Sequence, residues 1–337
     1  ENIIRLFTDD PVLIDLGYQY INIILTGSIA IFIPATFNYI LRGEGNTFVP
    51  MLTMIIGAVL NMIIDPFLIF GLGPFPQLGV AGAAYATVFS RIIGGVFIIF
   101  VLFSDKNELT LKLEDFEFDF QIIKEIYNIG IPAMANRLLF SVSIVFINLI
   151  LGTFNSTAIA VMGLIFRMQS FFLMMVFGLT QGYLPIVGYN YGHNNPERMK
   201  KTILIGNAAA LSFGIIGFIV FQLFPGFIIR LFNSDPKLLN IGVGALRRVS
   251  LSYFFMVLNI VGVATFQAVG KGMPSFAITF LRQAVLLVPG MYLLGEFFGL
   301  DAVWYSFPIA ESISFAILGV WLAVSIKRSM TKMRETV

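Results

Sequence analysis

Asp65 is the residue in this sequence whose type and surroundings point most directly to chemistry. It lies in the apolar stretch Phe48–Phe70, within the segment Gly57-Ala-Val-Leu-Asn61-Met-Ile-Ile-Asp65-Pro66. A carboxylate in such a stretch is costly, so it marks a functional site by default. Spacing of four residues places Gly57, Asn61 and Asp65 on one helix face. Pro66 has no N–H, so it leaves a backbone carbonyl free one turn earlier.

A carboxylate, an amide oxygen and a free carbonyl are hard oxygen ligands, and such ligands suit Na⁺. The same carboxylate is also able to take up H⁺ when it is removed from water. The site is therefore predicted to bind H⁺ or Na⁺, with Na⁺ held by Asp65 and Asn61. The alternative interpretation is that Asp65 only bonds neighbouring helices.

A second, weaker set of polar residues follows later in the chain. Glu311, after Pro308, is the only other one of the 19 acidic residues well inside an apolar stretch. A structural ion pair or hydrogen bond is an equally good interpretation of it. Arg167 and Arg282 are expected to bond carbonyls or the adjacent Gln169 and Gln283. The secondary polar set is Glu311, Arg167, Arg282 and Gln181.

The composition predicts an integral membrane protein. Of 337 residues, 58% are hydrophobic and 12% are charged, and the mean hydropathy is +0.89. Long blocks of about 20 apolar residues are the length of a membrane-spanning helix. Nine spans are expected: Leu13–Leu41, Phe48–Phe70, Val80–Phe103, Pro132–Phe154, Ala158–Ile186, Ile203–Leu231, Leu238–Val269, Phe276–Leu294 and Val303–Val324.

Several functional classes receive no support. There is no cysteine, which excludes disulfides and thiolate metal sites, and the net charge of +2 makes nucleic acid an unlikely partner. His193, the only histidine, lies in a polar loop. A P-loop, a nucleophile elbow and a metal-ligand cluster are all missing from the sequence, so neither an enzyme nor a cofactor is expected.

Basic residues predict the orientation. In the loops, 12 of the 21 Lys and Arg residues fall on one side and 3 on the other. Because Lys and Arg accumulate on the cytoplasmic side, the C-terminus is expected there, in a multi-pass protein of the cell (inner) membrane.

The charged segment Ser104–Gly130 divides two apolar regions. Residues 1–104 are expected to form part of a first lobe, 105–130 a cytoplasmic linker, and 131–337 a second lobe. Alternating apolar residues from Leu109 to Phe120 suggest an extended strip, and the spacing from Ile122 to Tyr127 is helical.

An internal repeat links the two regions. Residues 4–11, IRLFTDDP, match residues 229–236, IRLFNSDP, at six of eight positions, and Gly43-x-Gly45 later matches Gly270-x-Gly272. Three spans precede the match in the second copy and none in the first. We therefore expect an intact fold of twelve helices in two lobes of six, from which about three helices are absent here. The alternative is a native count of nine and a chance match.

The motifs together resemble the multidrug and toxic compound extrusion (MATE) family. The resemblance is carried by Arg42-Gly43-Glu-Gly45-Asn46-Thr47, Asn61-x-x-x-Asp65-Pro66 and the segment Gly79–Thr87. In the second lobe it is carried by the segments Gln181–Gly192 and Gln267–Gly272. The resemblance implies two six-helix lobes around a central cavity and exchange of external H⁺ or Na⁺ for organic, often cationic and amphipathic, compounds.

The resemblance also implies site residues. In one prokaryotic branch the cation site lies in the first lobe, and its Asn, Asp and Thr fall on Asn61, Asp65 and Thr87. Another branch uses acids in the seventh and tenth helices, and the corresponding spans here, Pro132–Phe154 and Leu238–Val269, hold no Asp or Glu, which argues against a second-lobe cation site in this protein.

The expected mechanism is alternating access by a monomer, with kinks at Pro34, Pro66, Pro289 and Pro308. The dense Met and Phe patch around Met168–Phe177 is compatible with the lining of a drug cavity, although packing or lipid contact is the preferred interpretation of each residue. The rivals are a flippase for lipid-linked saccharides, a membrane-embedded enzyme, and a chain inactive as it stands.

Overall fold

Helices and short connecting turns make up the structure, a computed structural model that describes residues 4–6, 10–103 and 117–335. No strand occurs among these residues, which confirms the predicted all-α class. The chain divides into two compact units, Glu1–Phe118 and Asp119–Val337. Each is considered by itself below.

The first unit contains four long helices. After a single 3-10 turn at Ile4–Leu6 come α1 (Pro11–Thr26), α2 (Ser28–Gly43), α3 (Phe48–Phe70) and α4 (Val80–Leu102). Helices α1, α2 and α3 all pack against α4, which is rich in small residues. Such residues let helix backbones approach closely, as membrane helices require.

The second unit contains ten helices and one π-helical segment. The helices are α5 (Phe120–Gly152), α6 (Ser156–Gly192), α7 (Pro196–Leu223), α8 (Pro225–Arg230), α9 (Pro236–Ser250), α10 (Tyr253–Ala268), α11 (Gly272–Phe280), α12 (Val288–Phe298), α13 (Leu300–Val303) and α14 (Ser306–Glu335). The π segment, Leu281–Leu287, joins α11 to α12. The core of this unit gathers around Trp304, Tyr253 and Phe221, which are almost completely buried.

By length and apolar composition, seven helical stretches of the described chain are able to cross a membrane. The count rises to nine when α1 with α2, and α9 with α10, are each taken as one bent span. Nine agrees with the sequence prediction. The bends measure 49° and 50°, and they lie at Gly27 and at Leu251–Ser252.

The four predicted hinge prolines do not lie at those two breaks. Pro34 and Pro66 lie inside α2 and α3, and Pro289 is the second residue of α12, close to the end of the π segment. Pro308 lies in the first turn of α14. Whether these prolines move during a functional cycle stays a prediction.

The internal repeat has a structural counterpart at the start of the two bent spans. Asp10 caps α1 by accepting a bond from Val12 N at 2.9 Å, and Asp235 caps α9 by accepting one from Lys237 N at 2.9 Å. Both caps precede a proline in the first turn, where the missing N–H costs nothing. The matched segments therefore form the same local structure twice.

At the other end of the bent spans, the structure corrects the alignment of the glycines. Gly45 is equivalent to Gly270, not to Gly272, because both have a left-handed φ, of 89° and 73°. Both N–H groups also close the same turn, to Arg42 O and to Gln267 O, each at 3.0 Å. A shared left-handed turn is stronger evidence that two glycines are equivalent than a Gly-x-Gly match in the sequence. With Gly45 matched to Gly270, the two copies of the repeat align without an insertion through this turn.

The division between the units falls before the end of the linker expected at 105–130. Helix α5 begins at Phe120, so residues 120–130 form its first turns in the second unit. The helical spacing of Ile122, Ile123 and Ile126 continues without a break into the following span. Most of the predicted extended strip from Leu109 to Phe120, namely residues 109–116, lies outside the described residues.

Candidate functional site

Close packing of α3 against α4 sets the position of the predicted cation site. The two helices run antiparallel, with Gly57 beside Ser90 and Gly82 against the backbone of Leu68. A Cβ at residue 82 would overlap the Leu68 carbonyl oxygen, so glycine is required there. The face of α3 on which the spacing of four residues places Gly57, Asn61 and Asp65 is thereby held against α4.

Asn61, Asp65 and Thr87 meet at this contact. Asn61 Nδ2 donates to Asp65 Oδ1 at 3.2 Å and to Thr87 Oγ1 at 3.4 Å. The Thr87 hydroxyl donates in turn to Ala83 O at 2.9 Å. All three residues are half-buried. The structure therefore brings together three side chains that lie up to 26 positions apart in the chain.

The orientation of the Asn61 amide limits what this arrangement is able to bind. Its nitrogen faces the Asp65 carboxylate, which suits an ionised acid that needs donors. Na⁺ would need the amide oxygen, so binding it requires the amide to turn over. Protonation of Asp65 allows the same turn without requiring it, because a neutral carboxyl has both a donor and an acceptor. Na⁺ would thus change the Asn61–Thr87 contact on α4, and H⁺ would permit that change.

In the second unit, Glu311 forms an ion pair rather than remaining isolated. Arg282 Nη1 lies 3.0 Å from Glu311 Oε1, and the two side chains are 19% and 12% exposed. Asn259 Nδ2 donates to Glu311 Oε2 at 2.7 Å and to the Glu311 carbonyl at 3.0 Å. The expectation that Arg282 bonds a carbonyl or Gln283 is therefore wrong: its partner is a carboxylate.

Asn259 was not among the residues singled out from the sequence. It lies in the apolar helix α10 and is 1% exposed. A buried amide in an apolar span is a signal of the same kind as a buried acid, since both need partners.

Arg167 and Gln181 are exposed on α6 and do not join the Glu311 cluster. Arg167 lines a cavity of about 380 Å³, together with Gly163, Leu164 and Phe232. Gln169, two residues along, is buried and donates to Met256 Sδ at 2.8 Å. The secondary polar set predicted from the sequence is therefore split between different parts of the second unit.

The Met and Phe patch also divides. Met168 is buried in the core, whereas Phe171, Met174 and Phe177 are exposed. Across the described part of the chain, no three His, Cys, Asp or Glu residues gather in a way that would hold a metal ion.

Comparison with known proteins agrees with this architecture. The profile of the MatE family matches residues 1–67 and 132–293. The chain is 31% identical over 291 residues to the multidrug export protein MepA of Staphylococcus haemolyticus, covering 86% of this chain and 63% of that protein. It is 30% identical over 289 residues to the probable multidrug resistance protein NorM of Thermotoga maritima, covering 85% and 62%.

A solved structure agrees too. A crystal structure of a MATE protein in the bent conformation matches with a TM-score of 0.91 at 26% identity, covering 99% of this chain and 74% of that one. The chain thus spans less than two thirds of the length of the two curated relatives. From the profile match, the identity to these relatives and the shared fold, we conclude that the chain belongs to the MatE, or multidrug and toxic compound extrusion, family.

Proposed function

We propose that the protein exports small organic compounds from the cell by secondary active transport, in exchange for H⁺ or Na⁺. The observation that carries the proposal is the hydrogen-bonded group of Asp65, Asn61 and Thr87 across two packed apolar helices. An acid in an apolar span is costly, and binding of a cation would neutralise its charge. The names of the relatives, a multidrug export protein and a probable multidrug resistance protein, support the same class of transport.

The coupling step follows from the chemistry of the site. Binding of a cation at Asp65 neutralises its charge and turns the Asn61 amide, which weakens the bond to Thr87 on α4. The arrangements with and without the Asn61–Thr87 bond correspond to two relative positions of α3 and α4, and therefore to two states of the protein. The cation favours one state. An organic compound that binds better to the other state is then exchanged for the cation.

The membrane orientation is part of the proposal. The excess of Lys and Arg in the loops on one side supports a cytoplasmic C-terminus, in a multi-pass protein of the cell membrane. The protein acts as a monomer, with organic small molecules and the lipid bilayer as its partners. It needs no cofactor beyond the coupling ion.

The test is efflux of ethidium from cells that express the protein from its complete reading frame, with H⁺ and Na⁺ gradients imposed separately. Efflux should follow one gradient and be lost in Asp65→Asn, which keeps the size of the side chain but removes its charge. Asp15→Asn is the matched control, because Asp15 is exposed on α1 and, among the described residues, bonds only within its own helix, where Gln19 donates to it at 2.8 Å. The control should export at the rate of the unaltered protein.

Equal efflux by Asp65→Asn and the unaltered protein would contradict the assignment of the site. No efflux of any dye under either gradient, from protein that is present in the membrane and folded, would favour the rival function of a flippase for lipid-linked saccharides.

A further inference from the structure

Arg167 is the only charged residue of helix α6, and it lines the cavity of about 380 Å³ to which Asn233 also contributes. Helix α6 is one of the stretches that are long and apolar enough to cross a membrane. We propose that this cavity binds the phosphate of an anionic phospholipid, with Arg167 as the counter-ion and an acyl chain lying along α6. This binding does not depend on the proposed export.

Arg167 has no partner for its charge in the part of the chain that the structure describes. Its guanidinium forms no ion pair and no hydrogen bond among those residues, although bonds to carbonyls or to Gln169 were expected from the sequence. Gln169 is bonded to Met256 instead. A charge in an apolar span is costly unless an opposite charge compensates it. An anion from the surroundings would supply that charge.

The cavity offers hydrogen-bond donors to such an anion. The residues that line it are small or apolar except for Arg167 and Asn233. Asn233 Oδ1 accepts a bond from Asp235 N at 2.8 Å, which leaves the amide nitrogen as a donor. A guanidinium is able to hold two phosphate oxygens at once. Because none of the lining residues is acidic, the cavity has no partner for the ammonium of a zwitterionic headgroup, and an anionic one is favoured.

The segment that carries Asn233 adds further positive charge. Arg230 ends α8 and Lys237 lies in the first turn of α9, so the two cations flank Asn233 in the chain. The acid between them, Asp235, accepts a bond from Lys237 N at 2.9 Å and caps α9. The surroundings of the cavity therefore favour a negative ligand. Basic pockets between membrane helices are known to bind anionic lipid headgroups.

Gly163 leaves room for the headgroup beside Arg167. It lies one turn before Arg167, in the direction toward which helical side chains lean. A Cβ at Gly163 would meet nothing within 4 Å, so packing does not require a glycine there. The space over Gly163 is thus open, and a larger side chain would fill the cavity without a clash at its Cβ.

An exposed apolar face continues from Arg167 along α6. Phe171 and Met174, four and seven residues on, are 63% and 69% exposed. Gly178, eleven residues on, has open space where a Cβ would be. Residues at these spacings share one helix face. From Arg167 to Gly178 the helix rises about 16 Å, roughly half of a hydrocarbon core that is about 30 Å thick. The face therefore suits the chain of a lipid from one leaflet.

The test is mass spectrometry of the intact protein, expressed from its complete reading frame and purified in detergent, with phosphatidylglycerol added. The number of bound lipids is read directly. Arg167→Gln should lower the affinity for one lipid by about tenfold or more, because it removes a charge-assisted hydrogen bond. Gly163→Leu should lower it similarly by filling the cavity while Arg167 remains.

Lys200→Gln is the matched control for the loss of one positive charge. Lys200 is exposed near the start of α7, at the opposite end of that helix from α8. This variant should bind phosphatidylglycerol as the unaltered protein does. Equal affinities in the unaltered protein, Arg167→Gln and Gly163→Leu would overturn the proposal.

Two further probes test the chemistry of the ligand. Phosphatidylethanolamine has the same phosphate with an added ammonium, and it should bind more weakly than phosphatidylglycerol. Equal or tighter binding would overturn the assignment of an anionic headgroup. Inorganic phosphate should not displace the bound lipid, since it has no chain to contact α6. Displacement would identify a site for soluble anions and would overturn the lipid assignment.

Thermal unfolding in detergent separates loss of the site from loss of the fold. Without lipid, Gly163→Leu should unfold no earlier than the unaltered protein, because its Cβ meets no atom. A lipid that binds the folded protein raises its unfolding temperature. Phosphatidylglycerol should therefore raise that temperature more in the unaltered protein and Lys200→Gln than in Arg167→Gln and Gly163→Leu. A rise of the same size in all four proteins would contradict binding at this cavity.

Discussion

Asn61 and Thr87 lie on different helices, and the 3.4 Å contact between their side chains ties the two sides of the candidate site together. Asp65 is on the same helix as Asn61, so their bond alone would not relate α3 to α4. The Thr87 hydroxyl therefore couples a change at the Asp65 carboxylate on α3 to the neighbouring helix α4.

Removal of that hydroxyl should strengthen cation binding without unfolding the protein, because the Asn61–Thr87 bond belongs to the cation-free arrangement. Thr87→Val keeps the shape of the side chain but loses the acceptor for Asn61. A single hydrogen bond contributes about 0.5–1.5 kcal/mol, so the cation concentration for half-maximal efflux should fall by up to about tenfold. Thr87→Ser restores a hydroxyl and should return the affinity close to that of the unaltered protein. Equal affinities for the Val variant and the unaltered protein would show that Thr87 is only a packing residue.

A Cβ at Gly27 should destabilise the first unit, and the damage should be reversible. An ideal Cβ there would lie 2.5 and 2.7 Å from the two methyl carbons of Val88. Overpacking of this kind costs about 1–3 kcal/mol. Gly27→Ala should therefore lower the thermal unfolding temperature in detergent, and Val88→Ala in the same chain should recover much of the loss. Additive losses in the double variant would refute the steric explanation.

Gly82→Ala should be harder to rescue. The atom in its way is the Leu68 carbonyl oxygen, which is backbone and cannot be trimmed by substitution. The helices α3 and α4 would have to move apart, which would lower thermal stability and separate Asn61 from Thr87. Gly178→Ala is the matched control, since its Cβ meets nothing within 4 Å on α6. There alanine should be neutral or stabilising by about 0.5–1 kcal/mol. Similar melting curves for both variants would rule out this packing argument.

In the second unit, Tyr183→Phe should lose one buried hydrogen bond. Tyr183 Oη and Thr265 Oγ1 lie 2.6 Å apart, and both residues are buried between α6 and α10. The free energy of unfolding should fall by about 0.5–1.5 kcal/mol. Tyr189→Phe changes an exposed ring stacked on His193, so its stability should stay nearly the same. Comparison of the two variants in thermal unfolding separates the loss of a buried hydrogen bond from the loss of an exposed hydroxyl. Equal unfolding temperatures would show that the Tyr183–Thr265 bond does not stabilise the protein.

The sequence predicted that Asn61 and Asp65 share a helix face because the signal for that relationship is local. Asn61 and Asp65 are one turn apart, so helix periodicity alone puts them on one face. The link to Thr87 came from family resemblance and not from periodicity, because a contact between helices depends on packing that no local pattern specifies. The close approach of Gly82 to Leu68 determines that contact, and a glycine in an apolar span does not reveal which backbone it meets.

The second-unit cluster was harder to predict for the same reason. Glu311, Arg282 and Asn259 come from three different elements, and only the first two are charged. The π segment at Leu281–Leu287 also changes which residues of that span face α14, and no sequence pattern indicated it. The helix bends escaped prediction because glycine packing and a turn produce them, whereas proline was the residue expected to kink a helix.

The contact between Gly27 and Val88 connects the candidate site to the bend between α1 and α2. Val88 follows Thr87 on α4, so a rotation of α4 that breaks the Asn61–Thr87 bond also moves the methyl groups that lie against Gly27. Helix α2 extends from this bend for 16 residues, or about 24 Å at 1.5 Å per residue. A change of about 5° in the angle between α1 and α2 would then displace the far end of α2 by about 2 Å. Helix α2 thus acts as a lever that amplifies the small movement of one amide group.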